Sequence, residues 1–366
     1  MQKKPSKIIW ASIPETRCNL SCDYCYVGKK QGKKIVLPYS LEHILKCFHP
    51  KRFGGPIFFG GASAGETLLW ENIVEFTRGM LSYGHVVSYT TNLTITPVIK
   101  KFCDFPRELR ANLELDASFH YLELKKRNLL NVFFENLRML KSAGISYAIF
   151  LVISDVYIPY LREISDLCKK EIGILPIAGM LREYDYKGGR LIRHYSSDEE
   201  KLIEETCDTR QWHIQKKLYG KKMTGFCYAG EYSINLNMET GNYSKCWGAA
   251  KMGNLFKNPD APIKFEPIGF CPFRDCVCAS YQFFGLIPEL NEFVPTHSNV
   301  HFTKSSVSKE VWEFMDHKMV TAPKPLSKAK IFKYKIYQKI VQFKMKTKDL
   351  LRKLKKYSPV GALIKK

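Results

Sequence analysis

An α/β fold on a parallel sheet is what this sequence predicts, and three observations predict it. Short apolar runs rich in β-branched and aromatic residues recur through the first half of the 366 residues. Segments with helical apolar spacing separate them, and glycines stand where two of those segments should stop. That alternation is the signature of repeated βα units.

The strand candidates are residues 8–13, 56–60, 86–90, 113–117, 147–153 and 172–177. Between them lie helix-like stretches at about 40–48, 68–83, 96–102, 128–142 and 157–169, with Gly144 and Gly173 as stops. Six strands fit a partial barrel, but periodicity alone does not separate a barrel from a doubly wound sheet. In barrels of this kind function collects where the strands end and the βα loops meet.

With 45% apolar residues, the chain can bury one large core and a smaller unit, so two domains and a tail are expected. No apolar run approaches the roughly 18 residues of a membrane span, and a soluble or surface-attached protein is expected. The net charge of +22 is unevenly spread: residues 324–366 hold fifteen Lys or Arg against Asp349 alone, a net +14, leaving +8 for the rest. The basic excess is therefore mostly a property of the tail.

The most informative motif is Cys18-Asn-Leu-Ser-Cys22-Asp-Tyr-Cys25. Three thiolates at this spacing can hold three corners of a cubane iron–sulfur cluster and leave the fourth iron open. Zinc with a distant fourth ligand and a disulfide fragment are the alternatives. The lysine-rich residues 1–10 are not followed by an apolar signal segment, so twelve cysteines point to metal work in a reducing compartment.

The C-x3-C-x2-C spacing resembles the signature of the radical S-adenosylmethionine (SAM) superfamily. The resemblance implies a partial (β/α)6 TIM-like barrel over residues 1–200, a [4Fe–4S] cluster on Cys18, Cys22 and Cys25, and SAM chelated at the open iron. It implies reductive cleavage of SAM to a 5′-deoxyadenosyl radical that abstracts hydrogen from a substrate. Tyr24 stands at the position that packs near adenine in the family. Gly60-Gly61-Ala-Ser-Ala-Gly65-Glu66, after the second strand, resembles the family's Gly-Gly-Glu turn for the SAM amino group, with Gly65-Glu66 the closer equivalent and Gly60-Gly61 a supporting turn. Thr91-Asn92 resembles its Thr-Asn-Gly turn, with Leu93 where glycine is common, and Ser118 ends the fourth strand where relatives place a serine near the ribose or carboxylate. Arg182 could meet the SAM carboxylate or form a surface ion pair. His120 could donate a proton, touch substrate or satisfy a core hydrogen bond. Asp116 is assigned no role.

A second cysteine set follows. Cys227, Gly241 and Cys246 form a Cys…Gly-x4-Cys pattern, with turn chemistry at residues 239–242, and Cys271-Pro-Phe-Arg-Asp-Cys276-Val-Cys278 comes after it. The pattern resembles the opening of SPASM or twitch extensions, which implies one auxiliary [4Fe–4S] cluster in residues 201–300. Five cysteines leave open which four ligate, and zinc is the alternative; Cys207 would make six. Cys47, Cys103 and Cys168 read as buried small hydrophobes. Residues 301–323 read as a linker.

In the tail, Phe332, Ile336, Ile340, Phe343, Leu350 and Leu354 recur near helical spacing among lysines. This is a basic amphipathic helix, suited to an anionic membrane surface, to packing on the barrel, or to RNA or an acidic partner. The expected function is a cytoplasmic radical SAM oxidoreductase or peptide- or metabolite-modifying enzyme, peripheral at the inner membrane surface if the tail binds lipid, acting on a peptide, sugar or small metabolite. By family analogy its electron donor is a flavodoxin or ferredoxin. The alternative is a non-catalytic zinc or iron–sulfur protein binding RNA or an acidic partner through its tail.

Overall fold

The computed structural model describes residues 4–25, 32, 35–185, 188–191, 193–219, 221–247, 249–273, 276 and 282–357, with side chains left aside at 182–192 and in parts of the last helix. Six parallel strands run in order across an open sheet: β1 (Lys7–Ile13), β2 (Ile57–Ser63), β3 (Val86–Thr91), β4 (Leu113–Ser118), β5 (Ser146–Ile153) and β6 (Ile177–Met180). The sheet does not stop at β1. After a two-stranded pair, β7 (Arg182–Asp185) and β8 (Gly188–Leu191), and the short β9 (Phe226–Cys227), the strand β10 (Ser233–Asn237) joins the free edge of β1 in parallel. A hairpin then adds β11 (Asn242–Ser244) and β12 (Lys251–Asn254), while β13 (Gly269–Phe270) pairs with β9.

The two faces of the sheet differ, as period-two alternation requires. Ile9, Phe59, Val87, Leu115 and Ile149 point to the helix layer and are buried. The other face carries Trp10, Gly60, Ser88, Glu114, Asp116 and Ser118, whose cross-strand registers put them together on the concave side. Polar residues on strands that are otherwise apolar mark this side as lined for a purpose beyond packing.

Helices Leu130–Ala143 and Leu161–Ile172 end at Gly144 and Gly173 with φ of 70° and 78°, a left-handed turn that glycine enters at least cost. This corrects the sixth strand. Ile172 belongs to the helix, Gly173 ends it, and the strand begins only at Ile177 after Pro176. The stretches expected at 68–83 and 157–169 each divide into a 3-10 turn and a helix, Thr67–Leu69 with Ile73–Ser82 and Ile158–Tyr160 with Leu161–Ile172.

The concave side is filled from within the chain. Phe284 lies 5.7 Å from Phe58 and 6.5 Å from Trp10 between ring centres, and His297 stacks on Phe284 at 5.1 Å. The segment 301–323, expected as a linker, is packed structure. It holds the helix Lys309–Met315, whose capping Ser308 accepts from the Val311 N–H and donates to the Ala111 carbonyl at 2.6 Å. The apolar faces at Val311, Phe314 and Met315 supply the reason.

The last helix, Lys328–Tyr357, carries two apolar stripes. One docks: Tyr334 covers Gly269 and lies 5.1 Å from Phe226, and Gln338 donates to the Cys271 carbonyl at 2.9 Å. The other, Phe332, Ile336, Ile340, Phe343 and Leu350, faces solvent, with Phe332 and Phe343 67% and 71% exposed. Leu354 lies where side chains are not described.

Candidate active site at the strand ends

The cysteine loop leaves the C-terminal end of β1 and is shaped by Glu15. Its buried carboxylate accepts the backbone N–H groups of Thr16 and Arg17 at 2.9 and 2.8 Å and pairs with the Arg17 guanidinium at 2.6 Å. Burial alone would raise its pKa, but the bonds and charge from Arg17 outweigh it and hold the carboxyl below its usual range. Downstream, the Ser21 N–H donates to Glu123 at 2.9 Å and the Cys25 N–H to the Cys22 carbonyl at 3.1 Å.

Cys18, Cys22 and Cys25 reach the surface partly or fully and are not disulfide-bonded. Burial first, then the neighbouring carboxylate Glu123 and thiols Cys18 and Cys25, raise the Cys22 thiol to about 12. Thiolates so placed oppose one another's ionisation, which a bound cationic centre reverses. Their sulfurs do not close on one ion: among the described residues, the one triad of such ligand atoms within 4.8 Å lies elsewhere.

Glu66 ties this loop to the turns after β2 and β3. Fully buried, it accepts from Thr91 Oγ1 at 2.6 Å, the Asn92 N–H at 2.7 Å and the Leu68 N–H at 2.9 Å. Its own N–H donates to the Arg17 carbonyl at 2.8 Å, the residue before Cys18. Asn92 Nδ2 donates to Asn19 Oδ1 at 2.8 Å, and Asn19 Nδ2 to Thr94 Oγ1 at 2.7 Å. Burial pushes the Glu66 carboxyl up although three donors face it.

A second group meets on the far side of the loop. The Tyr24 hydroxyl lies 2.5 Å from His120 Nδ1 and 3.0 Å from the Tyr157 hydroxyl. Burial lowers His120 to about 4, so the imidazole is neutral at pH 7 and holds Tyr24 through a hydrogen bond. Ser118 ends β4 beside Phe150 of β5.

The structure thus brings together Cys18, Cys22, Cys25, Tyr24, Gly65, Glu66, Thr91 and Asn92, with Ser118 on a neighbouring strand end. Gly60 and Gly61, expected as a supporting turn, lie inside β2 instead. A Cβ on Gly60 would stand 2.5 Å from the Trp10 ring, and one on Gly61 2.9 Å from Tyr89, so their smallness serves packing. Arg182 starts β7, and its side chain lies outside the described residues.

In the second cysteine set, Cys227 on β9 faces Gly269, and Cys271 follows two residues later. Burial first, then the Cys276 thiol, raises Cys271 to about 11. Gln282 Nε2 lies 3.3 Å from the Cys276 sulfur. Cys246 follows β11 of the hairpin, whose turn uses Gly241 at φ 73°. Cys278 lies outside the described residues. Cys47 and Cys168 are fully buried, Cys103 is half-buried, and Cys207 is buried beside Cys168.

Sequence reasoning missed one cluster. Glu114, Asp116 and His301 converge inside the barrel. Two acids at i and i+2 on one strand face, in an apolar strand, and two histidines four apart at 297 and 301 were the available signals. The two carboxylates raise His301 to about 10 against burial, and burial, then Asp116, raises Glu114 to about 7.

Residues 12–167 match the family model of the radical SAM superfamily. The chain contains a radical SAM domain. The cofactors of that domain are a [4Fe–4S] cluster and SAM. Among solved structures the chain is similar to Streptococcus suis SuiB bound to its precursor peptide SuiA, with 13% identity over 72% of this chain and 65% of that one at a TM-score of 0.50. SuiB bound to SAM gives 13% identity, 70% and 64% coverage and 0.49. The protein anSMEcpe with SAM and a Cp18Cys peptide gives 14%, 69% and 78%, and 0.48. The chain spans just under two thirds of SuiB. No curated protein sequence matches it. The likeness at this identity is one of fold, a parallel half-barrel. Among the described residues no helix is long and apolar enough to cross a membrane.

Proposed function

We propose that the chain binds a [4Fe–4S] cluster through Cys18, Cys22 and Cys25 and acts as a radical SAM enzyme on a peptide. The observation that carries this is the continuous bonded network from the cysteine loop through Glu66 to Thr91 and Asn92. Bound there, the cluster supplies the electron, delivered by a flavodoxin or ferredoxin, that splits a carbon–sulfur bond of SAM to give the 5′-deoxyadenosyl radical that takes hydrogen from the substrate.

The protein residues orient and enclose. Gly65 and Glu66 set the carbonyl-lined turn that receives the SAM amino group, Tyr24 is held by His120 and Tyr157 against the adenine position, and Ser118 offers a polar contact from the end of β4. A cleft of about 300 Å³ opens at the ends of β1 and β10, lined by Ser12, Asn235, Asn237 and Trp247, and we assign it to the substrate. A peptide is favoured over a sugar or other small metabolite because SuiB, similar in fold, was solved with a precursor peptide.

Residues 201–300 form the auxiliary unit in this reading. Four of Cys227, Cys246, Cys271, Cys276 and Cys278 would hold a second [4Fe–4S] cluster, which would supply an electron acceptor. The outer stripe of the last helix, flanked by lysines, meets an anionic membrane surface at the cytoplasmic face, with about 1 kcal/mol for each well-placed lysine.

Anaerobic reconstitution tests the proposal. About eight iron per chain and 5′-deoxyadenosine formed from SAM after reduction are expected, with both lost from the first site in Cys18→Ala. Paired Cys227→Ala and Cys271→Ala should leave about four iron and intact SAM cleavage. Zinc in place of iron, with no SAM cleavage, would overturn it.

A further inference from the structure

The inner face of β4 presents Glu114 and Asp116 to a helix formed by His297–His301. His301 Nε2 lies 2.7 Å from Asp116 Oδ1 and 2.8 Å from Glu114 Oε1. It bonds Asp116, and neither oxygen of Glu114 has an aligned donor although the residue is fully buried. A carboxylate in that position costs several kcal/mol unless a proton or a cation answers it. One helical turn back, His297 Nδ1 is also buried without a hydrogen-bond partner, its ring 4.2 Å from that of His301.

We propose that Glu114, Asp116 and His301 bind a divalent first-row cation of the zinc or manganese class inside the barrel. The three ligand atoms already lie within 4.8 Å of one another, near enough to close on an ion at about 2.0–2.2 Å with small side-chain movements. One nitrogen and two carboxylate oxygens suit such ions, whereas thiolates take iron–sulfur clusters. Two carboxylates and a neutral imidazole around a dication sum to zero charge, which suits a site walled by Phe150 and Phe302. The ion would staple the C-terminal segment that fills the barrel to its fourth strand.

The test uses the full-length protein with its clusters in place. After dialysis against zinc and then a weak chelator, wild type should retain one zinc per chain, and Glu114→Gln and His301→Gln at least tenfold less with iron unchanged. Zinc kept by both variants would place the ion at the cysteines and overturn the proposal, as would wild type that holds none. If either variant fails to fold, manganese(II) titrated into wild type decides: this ion avoids thiolates, so loss of its free six-line paramagnetic signal at one equivalent supports the site and an undiminished signal refutes it.

Discussion

Replacing Gly65 by alanine tests whether the turn after β2 positions the first cysteine. A Cβ there would stand 2.1 Å from the Arg17 carbonyl oxygen and 2.7 Å from the carbonyl carbons of Arg17 and Thr16. The obstacle is the backbone of Thr16 and Arg17, so no side-chain rotation relieves it. Reaching even 3.0 Å requires a displacement of about 0.9 Å, and Arg17 immediately precedes Cys18. Overpacking of this kind costs about 1–3 kcal/mol, and straining the Glu66 N–H bond to Arg17 adds about 1 kcal/mol, giving roughly 3 kcal/mol together. A shift near 1 Å at a catalytic group lowers rate about a hundredfold. The comparison is Gly84→Ala, where φ is +75° and nothing lies within 4 Å of the new Cβ; it should cost about 1–2 kcal/mol and leave activity alone. Denaturant unfolding, iron content and 5′-deoxyadenosine formation under anaerobic conditions read out the pair. The reasoning fails if Gly65→Ala keeps iron and turnover within twofold of wild type, or if the two variants behave alike.

His85, fully buried, accepts the Ile57 N–H at Nδ1 and donates to the Phe48 carbonyl from Nε2; burial lowers it to about 4. The unfolded chain takes up this proton below about pH 6.5 and the folded one only near 4, so stability should fall across that window by about 3 kcal/mol, and His85→Gln should flatten that part of the curve. Tyr24→Phe leaves half-buried His120 without its hydroxyl partner and should cost about 1–3 kcal/mol in denaturant unfolding, with weaker SAM binding by calorimetry. Phe332→Glu together with Phe343→Glu should abolish binding to anionic vesicles; wild-type binding that ignores ionic strength would contradict the electrostatic part of the account, and binding to RNA in preference to vesicles would contradict the lipid assignment.

The barrel was legible because its helix-facing strand residues are apolar in every unit and its loops begin with recognisable turns. The first cysteine set and the residues around Glu66 and Asn92 were legible for the same reason: each sits next to a strand end in sequence. What was not legible depends on long-range register. Nothing local in Ser233–Asn237 says that it will pair with β1 two hundred residues earlier. Glu114 and His301 left only local hints, acids at i and i+2 and histidines four apart, because their pairing is set by how the chain returns. Gly60 and Gly61 looked like a turn because glycine pairs usually are one, and only the Trp10 and Tyr89 rings explain them as strand residues.

The plug of residues 283–302 inside the half-barrel constrains biosynthesis. Trp10 and Phe58 are made early, yet their covering partners Phe284 and His297 leave the ribosome some 230 residues or more later. Until then the nascent strands expose an aromatic concave surface and an unpaired β1 edge, the kind of intermediate that aggregates. The fold's dependence on its own late-made segment therefore predicts slow, chaperone-sensitive maturation.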